Sequence, residues 1–408
     1  MTLSEELKWR GFVNQTTFDD PSDLDKKSRT FYWGVDPSAL SMTVGNLAAA
    51  MMARVFIKHG YKLILLVGGA TGLIGDPDGK AEERDLKTPE EIAKNKAAIV
   101  EQYRVIFKGE DFKVVDNYDW FKDMNYLQFL RDIGKHVPLR QMIARDFVQA
   151  RLGEGGAGIS YAEFSYSLIQ GYDFLHLFEK HDVTLQLSGA DQWGNSIAGV
   201  DLIRRKTGKE AHVWTAPLVV NKSTGVKFGK SEEGAIWLEA ELTSPFQFYQ
   251  FWLNVDDDGV GDYLKIYTEL GKEQIAKIMK EFEVEKGQRI AQKTLADEVT
   301  SIVHGSDQAK KVQRVTEVLF GDANFLDLSE AEKSVLSEEL PSVHATDNLA
   351  HTLVRAGLAS SNTEATRFLS SGAIYINGEK WLEDSFTGFK KGKNLVRRGK
   401  NSFAVVED

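Results

Sequence analysis

Leu63-Ile64-Leu65-Leu66-Val67, followed without interruption by the glycine-rich GGATGLIGDPDGK of residues 68–80, is the stretch on which the fold turns. Five apolar residues without alternation predict a strand buried on both faces, as in a parallel sheet covered by helices. Upstream, Thr30–Val35 is a second β-prone run, Asp36-Pro37-Ser38 turns the chain, and Leu47–Lys58 keeps helical periodicity until Gly60. Downstream, Thr184–Leu187 is strand-like and feeds a helix beginning near Asn195. This alternation predicts an α/β fold, a Rossmann-like doubly wound parallel sheet whose ligands sit beyond the carboxyl ends of the strands.

From Ser244 the pattern changes to amphipathic helices over Pro245–Asn254, Asp262–Leu270, Lys272–Glu283 and Gln288–His304. A connector leads to a compact tail with helices at Leu349–Ala356 and Thr363–Ser370 and an Asn377-Gly378 hairpin turn. The expected organisation is a sheet domain over 1–243, a helical domain over 244–326, a linker over 327–345 and a small α+β tail over 346–408. The tail holds nine basic and seven acidic residues, so it is +2 while the rest of the chain is −12.

A length of 408 residues predicts two or three domains. The formal charge of −10 requires any polyanion partner to meet a local basic patch. The absence of cysteine excludes disulfides, thiolate metal sites and thiol nucleophiles. The first twenty residues lack the basic start and apolar core of a signal peptide. Leu47–Ile57 is roughly half the ~20 residues needed to cross a bilayer and contains Arg54. A soluble, cytoplasmic protein with no membrane contact is expected.

Five segments carry potential chemistry. The 68–80 segment fits neither a dinucleotide fingerprint nor a Walker loop in its glycine spacing, yet Asp76, Lys80 and Arg84 load it and its flank with charge. Asp36–Asn46 runs into a helix start, where free amides and the helix dipole favour phosphate. Ser160-Tyr161-Ala162-Glu163 reads as a capping box opening a helix through Phe178. On it Tyr166, Gln170 and Asp173 form one polar stripe, expected to face away from the core and suited to a small polar ligand. Gln186–Asn195 places Asp191 at a strand end, where a carboxylate suits a ribose hydroxyl. Gly225–Ser231 sets Lys227 and Lys230 three residues apart across Gly229, a double-cation clamp for polyphosphate. Each segment also has a plain reading: a tight turn, a capped helix, a solvated face, a capped loop, a basic surface loop.

In chain order these segments resemble the bacterial-type tyrosyl-tRNA synthetases, which are class I aminoacyl-tRNA synthetases. The resemblance is carried by the blocks Val67–Asp78, Asn117-Tyr118-Asp119-Trp120, Phe129–Val137, Glu163–Ser167 and Asp191–Ser196. Pro37–Asn46 occupies the place of the HIGH signature, and Lys227-Phe228-Gly229-Lys230-Ser231 that of KMSKS. The resemblance implies that Tyr32 and Asp173 hold the substrate phenol, and that Asp76, Tyr166, Gln170 and Gln192 hold its ammonium group. Asp191 would take the ATP ribose. Thr43, Asn46, Lys80, Arg84, Lys227 and Lys230 would stabilise the phosphates, with Asp36 and Ser231 in the same ATP site and Asn117 and Gln186 behind these groups.

The resemblance further implies a tyrosine–tRNA ligase using L-tyrosine, Mg-ATP as co-substrate and the tRNA for tyrosine, with no permanently bound cofactor or metal and no editing domain. It implies a homodimer with Phe129–Pro138 near the subunit contact, anticodon binding by the helical domain, and an RNA-binding tail of ribosomal-protein type. Within the tail, Arg367, Lys390, Lys391, Arg397 and Arg398 are the phosphate-contact candidates. One departure stands out, since Thr43 occupies the place where the family usually has His. A hydroxyl donates one hydrogen bond but carries no charge. Two other classes compete: an RNA-binding protein that has lost activation, for which Thr43 is the motive, and a nucleotidyltransferase on the same sheet, which leaves the Asp173 stripe and the tail unexplained.

Overall fold

The computed structural model describes residues 1–77, 86–231 and 234–408, and its chain divides into two compact units. The first comprises Met1–Ser244 and Trp252–Leu295. Its sheet is built from β1 (Thr30–Val35), β2 (Lys62–Val67), β3 (Phe112–Asp116), β4 (Val183–Gly189) and β5 (His212–Ala216), in the order β3-β2-β1-β4-β5. All neighbours are parallel, with Val35 level with Val67 and Tyr32 level with Gln186. The chain moves outward from β1 to β3 and then returns to the other side of β1 as β4. The switch point between β1 and β4 opens a crevice at their carboxyl ends. Leu63–Val67 is buried throughout, as its unbroken apolar run predicts.

Helices Tyr161–His181 and Trp193–Thr207 lie together against this sheet. Their approach depends on glycine. A Cβ at Gly199 would stand 2.8 Å from Phe174 Cβ, and one at Gly171 would stand 3.3 Å from the backbone of Ala198. Phe174, Leu175 and Leu177 pack with Tyr32, Ile64, Leu66 and Val183 in one core. The polar stripe on the first helix is therefore not turned to solvent: it lies over the strand ends, with Tyr166 4% and Asp173 1% exposed. Of the expected capping box only half forms. Ser160 Oγ accepts the Glu163 N–H, whereas the Glu163 carboxylate is drawn to the buried Arg151 guanidinium at 2.8 Å.

A short ladder pairs β6 (Lys230–Ser231) with β7 (Gly234–Ala235). Just before it, Phe228 stacks on Tyr263 at 4.3 Å and reaches Trp252 and Tyr267 at 5.6 and 5.8 Å. This aromatic cluster explains why residues 252–295 group with the sheet and not with 296–326, with which the sequence placed them.

The second unit comprises Pro245–Phe251 and Ala296–Asp408. Its sheet runs β10-β9-β11-β12-β8, with β8 Ser342–His344, β9 Ile374–Ile376, β10 Glu379–Trp381, β11 Lys393–Arg398 and β12 Ser402–Glu407. The hairpin between β9 and β10 turns at Asn377 and Gly378, both at positive φ (50° and 90°), as the Asn-Gly pair predicts. The stretch read as a linker over 327–345 instead carries helix Glu330–Glu339 and β8, which pairs parallel to β12. Leu336 belongs to a core with Val315, Leu319, Phe325, Leu395, Phe403 and Val405, and burying these side chains ties the segment to the tail sheet. Among the described residues no helix is long and apolar enough to cross a membrane.

Candidate active site

The crevice at the switch point is a cavity of about 750 Å³ whose lining includes Tyr32, Asp76, Asp173, Thr43, Asp191 and Lys227. Asp36 leaves the end of β1 and accepts hydrogen bonds from Thr71 Oγ1 and Tyr166 Oη, both at 2.6 Å. The glycines that follow β2 make this possible. A Cβ at Gly68 would fall 2.0 Å from Asp36 Oδ1 and 2.2 Å from Thr71 Oγ1. The glycine-rich segment thus admits a carboxylate to the strand ends, which accounts for a spacing that matches no phosphate cradle. Burial and the neighbouring Asp36 and Asp76 charges raise the Tyr166 phenol well above its usual range, so it stays a neutral donor.

At the inner end Asp173 accepts from Asn117 Nδ2 at 3.1 Å and from Trp120 Nε1 at 2.9 Å. Burial pushes its carboxyl well above the ordinary carboxylate range, opposed by those two donors. Tyr32, 2% exposed, is raised by burial and by the Asp173 charge. Its hydroxyl has no hydrogen-bond partner among the described residues, and neither does Gln186 Oε1. A buried hydroxyl without a partner costs free energy unless a ligand supplies one. Asn117 also donates to Thr71 Oγ1 at 3.1 Å and accepts from the Ala70 N–H at 2.7 Å, joining this end to the Asp36 group.

Beside it Gln192 Nε2 donates to Asp76 Oδ2 at 2.6 Å, and Asn195 Nδ2 donates to Gln192 Oε1 at 3.1 Å. Arg145 in turn donates to Asn195 Oδ1 at 2.7 Å and to the Gly194 carbonyl at 2.6 Å. Gln170 lines the same cavity. At the outer end Lys227 Nζ stands 3.6 Å from Asp191 Oδ2. Thr43 caps helix Val44–Lys58, and the strand-like segment after the clamp lies against this cap: Val44 N–H donates to the Ile236 carbonyl and Leu238 N–H to that of Met42. Gly229, at φ +82°, leaves 3.2 Å between its missing Cβ and Val44 Cβ. The two signature segments therefore abut at a point where a side chain would intrude.

The structure brings together Tyr32, Asp36, Thr43, Asn46, Asp76, Tyr166, Gln170, Asp173, Gln186, Asp191, Gln192 and Lys227 around one cavity, with Asn117 behind it. Lys80 and Arg84 lie outside the described residues, as do the side chains of Lys230 and Ser231. Thr71, Trp120 and Arg145 are site residues that the sequence does not single out. Trp120 sits in a block quoted for the resemblance, whereas nothing in the local pattern of Arg145 announces its reach to Asn195.

In the second unit, Arg367 and Arg398 both lie over the Phe368 ring, at 5.5 and 5.2 Å. Arg397 lies instead over Tyr375 at 4.3 Å. Successive residues of a strand point to opposite faces, so Arg397 and Arg398 do not form the single surface that their adjacency suggests. Lys390 and Lys391 sit on a loop braced by Asn394, which accepts the Lys390 N–H and donates to its carbonyl, each at 2.7 Å.

Comparison with known proteins places this geometry. Residues 24–321 match the family described as tRNA synthetases class I (W and Y), and residues 330–406 match the tyrosine–tRNA ligase SYY-like C-terminal domain. The chain is 42% identical to the tyrosine–tRNA ligase of Streptococcus suis and 43% identical to that of Lactococcus lactis, in each case over 100% of both chains. Among solved structures it resembles a C-terminally truncated mitochondrial tyrosyl-tRNA synthetase of Aspergillus nidulans, with a TM-score of 0.68 and 30% identity over 76% of this chain and 92% of that one. With such relatives along its full length and the class I model over most of it, the chain belongs to the bacterial-type tyrosyl-tRNA synthetases.

Proposed function

We propose that this cavity performs the two steps of a tyrosine–tRNA ligase on its own substrates. A tyrosine carboxylate oxygen attacks the α-phosphorus of ATP in line; the bond to the oxygen bridging the α- and β-phosphates breaks and pyrophosphate leaves. A terminal ribose hydroxyl of the tRNA for tyrosine then attacks the carbonyl of the adenylate and releases AMP. The carboxylate is already ionised at neutral pH, so no protein nucleophile or base is needed for activation. Catalysis is positioning plus stabilisation of the charge that develops on pyrophosphate. Magnesium enters on the ATP phosphates as part of the co-substrate, supplying charge neutralisation.

One observation carries this reading: a single cavity has Asp173 and the unpartnered Tyr32 hydroxyl at one end and the Lys227–Asp191 pair at the other. In this reading Tyr32 and Asp173 take the phenol, while Asp76, Tyr166, Gln170 and Gln192 take the ammonium group. Asp191 takes the ribose. Thr43, Asn46, Lys80, Arg84, Lys227 and Lys230 line the phosphate path, with Asp36 and Ser231 beside them. In the tail, Arg367, Lys390, Lys391, Arg397 and Arg398 serve the tRNA. The test is amino-acid-dependent exchange of labelled pyrophosphate into ATP across all twenty amino acids. Exchange with tyrosine alone supports the assignment; no exchange with any amino acid supports an RNA-binding protein that has lost activation.

We also infer a homodimer acting in the cytoplasm. Tyr126, Leu127, Leu139 and Leu152, on short helices around the Phe129–Pro138 segment, and Tyr161, at the start of the long helix that follows, expose between 55% and 76% of their surface. Apolar exposure on that scale marks an interaction surface. Light scattering of the Leu127→Asp and Tyr161→Asp variants tests it, with a halved mass expected.

A further inference from the structure

Asp173 and His176 are three residues apart on helix Tyr161–His181, so they share a face, and Trp120 meets both. Its Nε1 donates to Asp173 Oδ1 at 2.9 Å, and its ring stacks on the His176 imidazole with centroids 4.4 Å apart and planes 16° from parallel. Tyr172 backs the imidazole at 6.1 Å and is met edge-on by Phe121 at 5.4 Å. His176 does not line the 750 Å³ cavity. With Trp120 it lines a separate groove of about 680 Å³ along the open edge of β3. It therefore touches no substrate, and it reaches the phenol end through the indole.

We infer that His176 is a positioning residue for tyrosine recognition, its imidazole fixing the plane of Trp120 so that the indole N–H stays aimed at Asp173. This rests on the assignment of Asp173 to the substrate phenol. A hydrogen bond weakens steeply with misalignment, and an indole hinged at its Cβ swings its N–H out of line when one face is unsupported. The imidazole suits the role because burial, with the nearby His181 and Lys180, holds its pKa down and keeps the ring neutral. A flat neutral ring supplies offset stacking without placing a charge beside the buried Asp173 carboxyl.

The test uses the full-length protein in pyrophosphate exchange with three variants, His176→Ala, His176→Phe and Asp173→Ala. Stacking energies of aromatic pairs translate to about a three- to tenfold effect. His176→Ala should raise KM for tyrosine by that factor, erode the preference for tyrosine over phenylalanine by a similar one, and leave KM for ATP and kcat within about twofold. His176→Phe, which keeps a flat ring, should restore both. The inference is overturned by an unchanged KM for tyrosine in His176→Ala, by parallel changes in KM for ATP and kcat, or by a His176→Phe variant that behaves like His176→Ala. If Asp173→Ala still excludes phenylalanine as the parent does, the assignment of the phenol end falls first. If Asp173→Ala loses that exclusion and His176→Ala is silent, only the positioning role falls.

Discussion

The hydroxyl and the backbone N–H of Thr43 both donate to Asn46 Oδ1, at 3.0 and 2.9 Å. The hydroxyl has one proton to give, and here it is spent inside the helix cap. On the proposed assignment the residue standing where the family usually has His would hold Asn46 and leave that amide to the phosphates; both residues line the cavity. Thr43→Ala should slow pyrophosphate exchange by less than about tenfold, the worth of one neutral hydrogen bond. Asn46→Ala should slow it on the order of 10²-fold, the usual cost of an oriented donor to developing charge. Comparing kcat at saturating substrates checks the order; the reverse order would return the phosphate contact to Thr43.

Tyr32 brings to the cavity a buried hydroxyl that has no partner among the described residues. Tyr32→Phe removes it and should cut discrimination between tyrosine and phenylalanine by about fivefold to 150-fold, from about 1–3 kcal/mol for one buried polar group. The change should fall on kcat/KM for tyrosine, with ATP kinetics unmoved. Competition between the two amino acids in adenylate formation measures it.

Lys227 is paired with Asp191, and both are substantially exposed, so the pair adds little to folding. On the proposed assignment its role is to stabilise the ATP phosphates. Lys227→Ala should lower the rate of activation on the order of 10²-fold while leaving the melting temperature essentially unchanged. Lys230→Ala should do the same. Thermal unfolding and single-turnover adenylate formation, measured on the same preparations, separate the two effects.

Acid stability should decline in two windows. Burial holds His304 down to about 4 from its ordinary 6.5, so between those values the unfolded chain takes up a proton that the folded chain refuses. Stability falls as pH drops from 6.5 to about 4, and His304→Phe should remove that slope. Glu6 is lowered from 4.5 to about 2: burial pushes it up, but bonds from His59, Lys58 and Arg10 outweigh burial. Its contribution is present above 4.5 and lost as pH falls toward 2, and Glu6→Gln should flatten that second window. Melting temperatures measured from neutral pH down through both windows test the pair.

Deleting residues 346–408 would strip β9 to β12 from β8 and uncover Leu336 and Val315, so point variants give the cleaner test of the tail. Replacing Lys391 and Arg398 together with Ala should weaken tRNA charging and reduce the slope of log affinity against log salt by about 1 per lost phosphate contact. Pyrophosphate exchange should not change. Arg397→Ala, on the opposite face, should have the smaller effect on tRNA.

Much of the fold was legible where its signals are local. The run Leu63–Val67 could only be a strand covered on both sides, and Asn377-Gly378 could only be a tight hairpin. The stripe of Tyr166, Gln170 and Asp173 was legible as a stripe but not in its direction, because periodicity gives the angle between residues and not what packs against them. Only the close approach permitted by Gly171 and Gly199 turns it over the strand ends. The segment 327–345 hid its helix and strand because Leu336 finds its partners far along the chain, at Leu395 and Phe403. Arg145 was invisible for the same reason, its partner Asn195 lying 50 residues away.

On the proposed reading one cavity grips a phenol at one end and a triphosphate at the other, so that bringing them together is the catalysis. Rapid gel filtration after mixing the protein with ATP, magnesium and tyrosine, in the absence of tRNA, tests it most directly. Stoichiometric tyrosyl-adenylate should travel with the protein, and far less adenylate with phenylalanine. Recovery of protein free of adenylate under saturating substrates would contradict it.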